Sequence, residues 1–311
     1  RIHLINHAFR TFSELLVAAR NLEKDIRPQQ RTQRDSGAYH PNTRYASAHR
    51  YHTTAVAEEK YGRHNGGLNT NSKQLLESLR TWPDAPFATA VKHMEVHGDV
   101  DGSVHFDAGA QGVDALAWIV DVPALEQRLA EAVRYQPQVE VVDSPVEAPL
   151  TAICEGRASA TRAEFGVDFD VTPYGQHAIA TRLRCELPHG QVARQWFSAQ
   201  GILAFLPLEG ADGHSVAVVW SVAQADAAHW QSTDEATFIQ ALTDISQGSL
   251  GQLQLQGPRM AWPLQQAVAK RWCGPFPGTT EARQPTSWVL AGDAAHNVHP
   301  LAGQGLNIGL A

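Results

Sequence analysis

The sequence predicts an α/β protein in which a mostly parallel sheet is wrapped by helices and an antiparallel sheet is inserted into the middle of the chain. Three observations carry this. The stretch Val289-Leu290-Ala291 is short, apolar and uninterrupted, the pattern of a strand buried on both faces. Amphipathic helical patterns over 72–79 and from Pro123 onward alternate with short apolar segments. Between these and the C-terminus, β-type segments follow one another across 178–221, separated by turn residues.

Taken in order, Phe12 to Ala19 suggests one short helix over Thr11 to Leu22. From Asp25 to Gly67 the chain is rich in Arg, His, Thr, Gln and Asn and holds no sustained period, so it reads as loop or disorder. Ser72 to Leu79 reads as an amphipathic helix that ends near Trp82-Pro83. Lys92 to Val96 and Ser103 to Phe106 alternate apolar and polar residues around Gly98-Asp99, as paired strands do. Leu116 to Val120 is a short apolar strand. Pro123 then opens a helix with Leu125, Leu129 and Val133 on one face, and Val139 to Val142 is a further strand.

The middle holds Ala178 to Cys185, Val192 to Phe197, Ile202 to Leu208 and Val216 to Ser221. Turn signals at Leu187-Pro188-His189-Gly190 and at Glu209 to Gly213 predict an antiparallel meander. Ser232-Thr233-Asp234-Glu235 has the form of a capping box that starts a helix with Phe238, Ile239, Leu242 and Ile245 inward. Trp262-Pro263-Leu264 begins a segment leading back to the C-terminal strand. There is no internal repeat.

The 311 residues are 43% hydrophobic and 18% charged, enough for a sizeable core in one large or two ordinary domains. A net charge of -7 argues against a nucleic-acid partner. The charge is uneven. The first 80 residues hold 13 Lys+Arg and 7 Asp+Glu, a net of +6; the rest hold 12 and 25, a net of −13. The 3 Cys (Cys154, Cys185 and Cys273) share no metal-ligand spacing, and a reducing, cytoplasmic setting is the simplest inference. No apolar run is long enough to span a bilayer and no signal peptide is visible, although the chain starts at Arg1, which leaves open a native start upstream.

The most informative run is Trp288 to Asn307: strand, Gly292-Asp293 at its end, a loop, and a glycine-rich entry into a helix. Ligands of parallel sheets sit off the carboxyl ends of strands, where Asp293 falls and where its carboxylate can accept hydrogen bonds from hydroxyls. Gly303 and Gly305 let the backbone come close to a ligand. The run resembles the second flavin-binding motif of the class A flavoprotein aromatic hydroxylases, Gly-Asp-Ala-Ala-His, then Pro, then Gly-Gln-Gly-x-Asn, with every position filled. The resemblance implies an FAD-binding Rossmann-like domain of the PHBH type carrying an inserted substrate sheet. It also implies a cofactor site made of Gly292, Asp293, Pro300, Gly303, Gln304, Gly305 and Asn307. In that family Asp293 would anchor the ribityl chain, the Pro300 to Gly303 loop would lie beside the reactive edge of the ring, and Asn307 would support the ring from the helix.

Tyr174-Gly175-Gln176-x-Ala178-Ile179, Glu186-x-Pro188-His189, Ala193-x-Gln195-x-Phe197 and Gly201-x-Leu203 to Leu208 are similar to the ubiquinone-biosynthesis (UbiH-like) hydroxylases over about 68–311. Cys154 to Arg162 follows the family's Ala-Asp-Gly-x-x-Ser-x-x-Arg, with Glu155 in place of Asp, and adds Glu155 and Gly156 to the implied site. His64 stands where that family has an Arg. The resemblance divides the chain into an atypical segment, 1–67, and an FAD/substrate-binding monooxygenase region, 68–311. Within the latter the substrate sheet spans about 171–225 and the flavin motif 286–311.

Two departures stand out. No strand followed by Gly-x-Gly-x-x-Gly occurs in 1–67, so the strand that cradles the adenosine diphosphate half is unaccounted for. The chain also stops at Ala311, inside a helix expected to continue, so the domain is expected to be incomplete. Residues 1–66 are read as out of frame, with a degraded or chimeric remnant and a genuine segment of other purpose as alternatives. Weak or absent FAD binding is expected of the chain as written.

The implied activity is FAD-dependent hydroxylation of an aromatic ring by dioxygen, with reduced nicotinamide or another reductant as electron source. The substrate is expected to be a prenylated phenol in ubiquinone biosynthesis, handled within a biosynthetic complex, in the cytoplasm or at the periphery of the inner membrane. An inactive remnant and a hydroxylase of small soluble aromatics are the alternatives. No side chain is assigned a catalytic role; His296 and His299 read as structural or solvated loop residues. Gln195, Phe197 and Phe205 either line the substrate cavity or belong to the core. Trp118, Trp196, Trp220 and Trp262 are read as core.

Overall fold

The structure is a computed structural model that describes residues 2–7, 49–54, 65–99, 102–142, 148–277, 286–298 and 304–311. The first strands are β1 (Ile2–His7), β2 (His49–Thr54) and β3 (Asn65–Leu68). The helix expected at Thr11 to Leu22 lies outside the described residues. Helix α1 (Thr70–Ser78) starts where the Asn69 side chain accepts from the Ser72 amide at 2.9 Å. Then come β4 (Ala88–Val91), β5 (His93–His97), β6 (Ser103–Asp107) and β7 (Ala117–Asp121). Asp121 caps helix α2 (Val122–Arg134), whose Leu125, Leu129 and Val133 are buried as their spacing predicts.

After β8 (Val139–Val141) and β9 (Leu150–Ile153), the short helix α3 (Ala160–Glu164) leads into the 17-residue β10 (Phe169–Cys185). Strands β11 (Val192–Ser198), β12 (Gly201–Leu208) and β13 (Ser215–Ala223) precede helices α4 (Ala227–Ser232) and α5 (Glu235–Ile245). The chain closes with β14 (Leu253–Leu255), β15 (Met260–Ala269), β16 (Cys273–Pro275), β17 (Ser287–Leu290), β18 (His296–Asn297) and helix α6 (Gln304–Leu310).

The described strands form three sheets. The first has the order β16-β17-β9-β1-β2-β8 and is parallel from β17 to β8. The apolar β9 and β17 lie inside it, and with α1 and α2 they bury Leu68, Leu76, Trp118, Val120, Leu125 and Leu129. The second is the small antiparallel sheet β3-β7-β4. The third is the large sheet β18-β15-β10-β13-β12-β11-β5-β6, with β14 also on β10. Its core is Ile179, Leu203, Phe205, Val218, Trp220, Phe238 and Leu242, sealed by α5. Phe205 is therefore core. Trp118, Trp196 and Trp220 are buried, but Trp262 is only half-buried.

Several expectations are corrected. The unaccounted central strand is supplied by Ile2–His7, which lies between β9 and β2, and β2 and β3 fall within the stretch read as loop. The middle is not a simple meander. Strand β10 pairs with β13, and β11 pairs in parallel with β5. The turn after β10 does not fold back as a hairpin because it is docked elsewhere: Glu186 and Leu187 bond to Gln252 and Leu250, and His189 bonds to Gly213. The cap of α5 is Asp234, which accepts from Thr237, while Ser232 ends the separate helix α4.

His189 has no exposed surface, and its Nδ1 accepts from the Gln191 amide. Nε2 therefore carries the proton and donates to the Leu208 carbonyl at 2.7 Å. Burial pushes its pKa below the ordinary 6.5, against the opposing pull of that carbonyl. A depressed pKa means that the unfolded chain takes up the proton first, so stability holds above about pH 6.5 and falls below it, by up to about 1.4 kcal/mol per pH unit. Urea unfolding between about pH 7.5 and 5.5 should show this loss, and His189→Gln should make it shallower; equal slopes in the two proteins would contradict the assignment.

Candidate functional site

Strands β17, β9 and β1 end on one edge of the parallel sheet. Leu290 lies beside Ile153, and Ile153 beside Ile5. The chain runs from β1 to one side through β2 and reaches β9 and β17 on the other, so this edge is where the strand order reverses. Two loops meet there, one after Ile153 and one after Leu290. The Ala291 amide donates to the Ile153 carbonyl at 3.0 Å and holds them together.

The first loop is organised by a buried carboxylate. Glu155 accepts from Ser159 Oγ at 2.7 Å, from the Thr161 amide at 2.9 Å and from Thr161 Oγ1. Ser159 in turn accepts from the Arg162 amide at 3.1 Å as the cap of α3. Gly156 bridges the two with φ +73°, a backbone conformation that side chains rarely take. Glu155 thus turns into the loop, and the added methylene relative to Asp lets it reach three donors of its own helix start.

The second loop is braced by the first. Arg162 is buried; it donates to the Ala294 carbonyl and the Arg157 carbonyl, both at 2.9 Å, and its guanidinium lies 3.7 Å from the Phe169 ring centroid. Burial lowers its pKa and the Glu155 carboxylate works against that shift. Gly292 has φ +56°, and Asp293 is 8% exposed beside it in a single 3₁₀ turn, Gly292–Ala294. His296 lies in β18, where its backbone pairs with Val268 and its ring packs near Trp272, a structural placement.

Helix α6 buries Leu310 in the core and is tied to its neighbours by one polar side chain. Asn307 Oδ1 accepts from the Asn69 amide at 2.9 Å and from Ser72 Oγ at 2.8 Å, and Nδ2 donates to the Gly67 carbonyl at 2.8 Å. The resemblance gave Asn307 the role of supporting the ring from the helix; in the structure its amide ties α6 to β3 and the start of α1. Gln304 is exposed at the start of α6. A Cβ on Gly305 would meet only Val298, at 3.9 Å, among the described residues. Pro300, Gly303, His299 and His64 lie outside the described residues. The structure therefore brings together Glu155, Gly156, Gly292 and Asp293 at one sheet edge. Sequence reasoning did not single out Arg162 as the brace between them, although the Ser159-x-x-Arg162 spacing carried the signal.

The profile of the family described as "FAD binding domain" matches residues 107–311. The chain is 31% identical over 166 residues to "Ubiquinone hydroxylase UbiL" of Rhodospirillum rubrum, covering 53% of this chain and 35% of that protein. It is 25% identical over 267 residues to "3-demethoxyubiquinol 3-hydroxylase" of Escherichia coli, covering 78% and 64%. The chain thus spans about a third to two thirds of the length of these curated relatives. Among solved structures, p-nitrophenol 4-monooxygenase of Pseudomonas putida superposes with TM-score 0.64 at 14% identity, over 99% of this chain and 76% of that one. At that identity the likeness concerns the fold.

Because Asn307 satisfies three partners at a buried position, Asn307→Ala should cost about 2–4 kcal/mol, at roughly 1 kcal/mol for each neutral hydrogen bond plus the unpaired buried donor. Denaturant titration measures this; a loss under about 0.5 kcal/mol would show that the helix is held by other contacts.

Proposed function

The chain belongs to the FAD binding domain family, and from that premise we propose that it is the core of an FAD-dependent monooxygenase hydroxylating an aromatic ring, a prenylated phenol of ubiquinone biosynthesis. Residues 68–311 form the cofactor- and substrate-binding region, with the substrate sheet at about 171–225 and the flavin motif at 286–311. The observation that carries the reading is the meeting of Gly156 and Gly292, both left-handed, with the buried Asp293 at the switch edge of the parallel sheet. The relatives named as ubiquinone hydroxylases supply the substrate class.

The residues fit a flavin at this edge. Among the described residues a Cβ on Gly305 would meet only Val298, at 3.9 Å, which leaves room for a flat ring laid against the backbone. Asp293 would accept from hydroxyls of the ribityl chain. Gly292, Pro300, Gly303, Gln304 and Gly305 would hold the ring through their backbone, Gly156 would hold the pyrophosphate end, and Glu155 and Asn307 would act by fixing loop and helix. Bound and reduced, FAD supplies the activation of dioxygen: one oxygen atom enters the ring as a hydroxyl, the other leaves as water, and reduced nicotinamide or another reductant provides the electron pair. The protein excludes water and holds the ring in place.

No helix among the described residues is long and apolar enough to cross a membrane. A greasy substrate favours work at the periphery of the inner membrane, within a biosynthetic complex, by an otherwise cytoplasmic protein. After β1 the sequence runs Ala8-Phe9-Arg10-Thr11-Phe12-Ser13 and offers no glycine for a phosphate cradle. FAD binding is therefore expected to be saturable but weak and to depend on the β9 and β17 loops. In a titration followed by flavin fluorescence, Asp293→Ala should weaken binding about tenfold or more, the worth of a hydrogen bond to a charged group. Absence of any saturable FAD binding by the parent chain would remove the proposal.

A further inference from the structure

The large sheet ends in β6, whose outer edge meets no other strand among the described residues. The other ends of the two larger sheets are shorter. Strand β18 has 2 residues, β16 and β8 have 3 each, and β16 carries Pro275. Edges that short, or holding a proline, resist pairing with a second chain. Strand β6 has 5 residues, Ser103–Asp107, in unbroken register with β5, and holds no proline, lysine or bulge. Nothing in its sequence guards the edge.

The hydrogen bonds of the β5–β6 hairpin fix what this edge offers. The Ala108 amide donates to the Lys92 carbonyl at 2.9 Å, and the Gly98 amide to the Gly102 carbonyl at 2.8 Å. By the alternation of an antiparallel pair, Val104 and Phe106 turn their backbone groups to β5, and Ser103 and His105 turn theirs outward. On one face Val104 (55% exposed) and Phe106 (42% exposed) lie opposite the half-buried Val96 and Met94. On the other face both carboxylates are already matched: Asp107 Oδ2 lies 2.8 Å from His93 Nδ1, and Glu95 is paired with Arg194 at 2.9 Å.

We propose that β6 pairs antiparallel with β6 of a second copy of this chain, about a two-fold axis at His105, and joins two large sheets into one. In this register the outward amide and carbonyl of His105 meet those of its counterpart. Val104 of each copy faces Phe106 of the other in the closely spaced, non-hydrogen-bonded pairs, and Ser103 faces Asp107. Apolar meets apolar, and no carboxylate faces a carboxylate. Neighbouring axes do worse. An axis at Val104 sets Phe106 against Gly102, and one at Phe106 sets Val104 against Ala108, which is buried and bonded to Lys92. The strand is complementary to its own reverse along its whole length, so the occupant is a second copy and not an unrelated strand. Each copy then covers the other's edge, which gives closed pairs and not fibres.

The test is analytical sedimentation of the full chain, joined to oxidative trapping in a Cys273→Ser background, since Cys273 is exposed whereas Cys154 and Cys185 are buried. The parent should form dimers with a Kd of roughly 1–100 µM, the range of a small interface. Val104→Lys, at an exposed position, should raise that Kd at least about tenfold and leave the circular dichroism spectrum unchanged. His105→Cys should give a disulfide-linked dimer, because directly opposed residues of a hydrogen-bonded pair lie about 5.5 Å apart between Cα atoms. Ser103→Cys should not, because its counterpart would lie four residues along the strand, roughly 13 Å away. A parent that stays monomeric at about 100 µM overturns the proposal. So does a dimer that Val104→Lys leaves intact, or one trapped equally well in both cysteine variants. Monomers that pellet with phospholipid vesicles, and lose this in Val104→Lys, also overturn it and assign the apolar strip to a lipid surface. No residue of the flavin motif lies in β6, so failure here leaves the flavin reading standing.

Discussion

The structure depends on one register: Ser287 beside Leu150, through to Leu290 beside Ile153. Strands β9 and β17 are separated by the whole inserted sheet, yet their parallel pairing brings their carboxyl ends level. Shifting β17 by one residue would move Trp288 and Leu290 out of their cluster with Ile153 and Val167 to the opposite face, where Val289 packs, and put the Gly292 turn out of level with the β9 loop. The apolar content of both strands resists such a slip, because each is covered on both faces. The candidate site is thus a consequence of hydrophobic burial in the sheet, before any polar contact is counted.

Polar contacts then make the edge rigid. Burying a carboxylate and a guanidinium is costly, and both must find partners. Glu155 finds three donors in the helix start that follows it, and Arg162 finds the carbonyls of Arg157 and Ala294. The guanidinium Nε is left without a partner among the described residues, a cost that the ring face of Phe169 partly offsets. Glu155 and Arg162 therefore behave as one unit. The acid shapes the first loop, and the base carries that shape across to the second. Asn307 does the same for α6, at the price of no net charge.

Much of this is legible in the sequence, and the failures share a cause. Helices α1 and α2 follow from spacing and caps, since both are decided by neighbours in the chain. The strand and Gly-Asp turn at Leu290 to Asp293 follow from apolar content and a motif. The pairing of β10 with β13 does not, because turn residues at Pro188-His189-Gly190 signal only that the chain bends. Where the turn docks is settled by Gln252, Leu250 and Gly213, far away in sequence. Glu155 and Asn307 were legible as polar residues in the right motifs. Which way their side chains turn depends on donors that the fold brings up, from Thr161 in one case and from Asn69 and Ser72 in the other.

The placement of Ile2–His7 separates fold from site. A central parallel strand needs its backbone amides and carbonyls paired on both sides, and β1 has this with β2 and β9. Pairing of that kind asks little of residue identity, so a strand whose flanking sequence carries no glycine signature can fill the position. A phosphate cradle asks much more: a left-handed turn and close backbone approach, which glycine supplies, and the sequence from Ala8 to Ser13 holds no glycine. The sheet can therefore be complete while the half of the edge beside β1 lacks its usual chemistry. On the proposed reading the burden of holding a cofactor falls on the β9 and β17 loops, which Arg162 braces through the carbonyls of Arg157 and Ala294, and the integrity of that brace would then govern whether the edge binds at all.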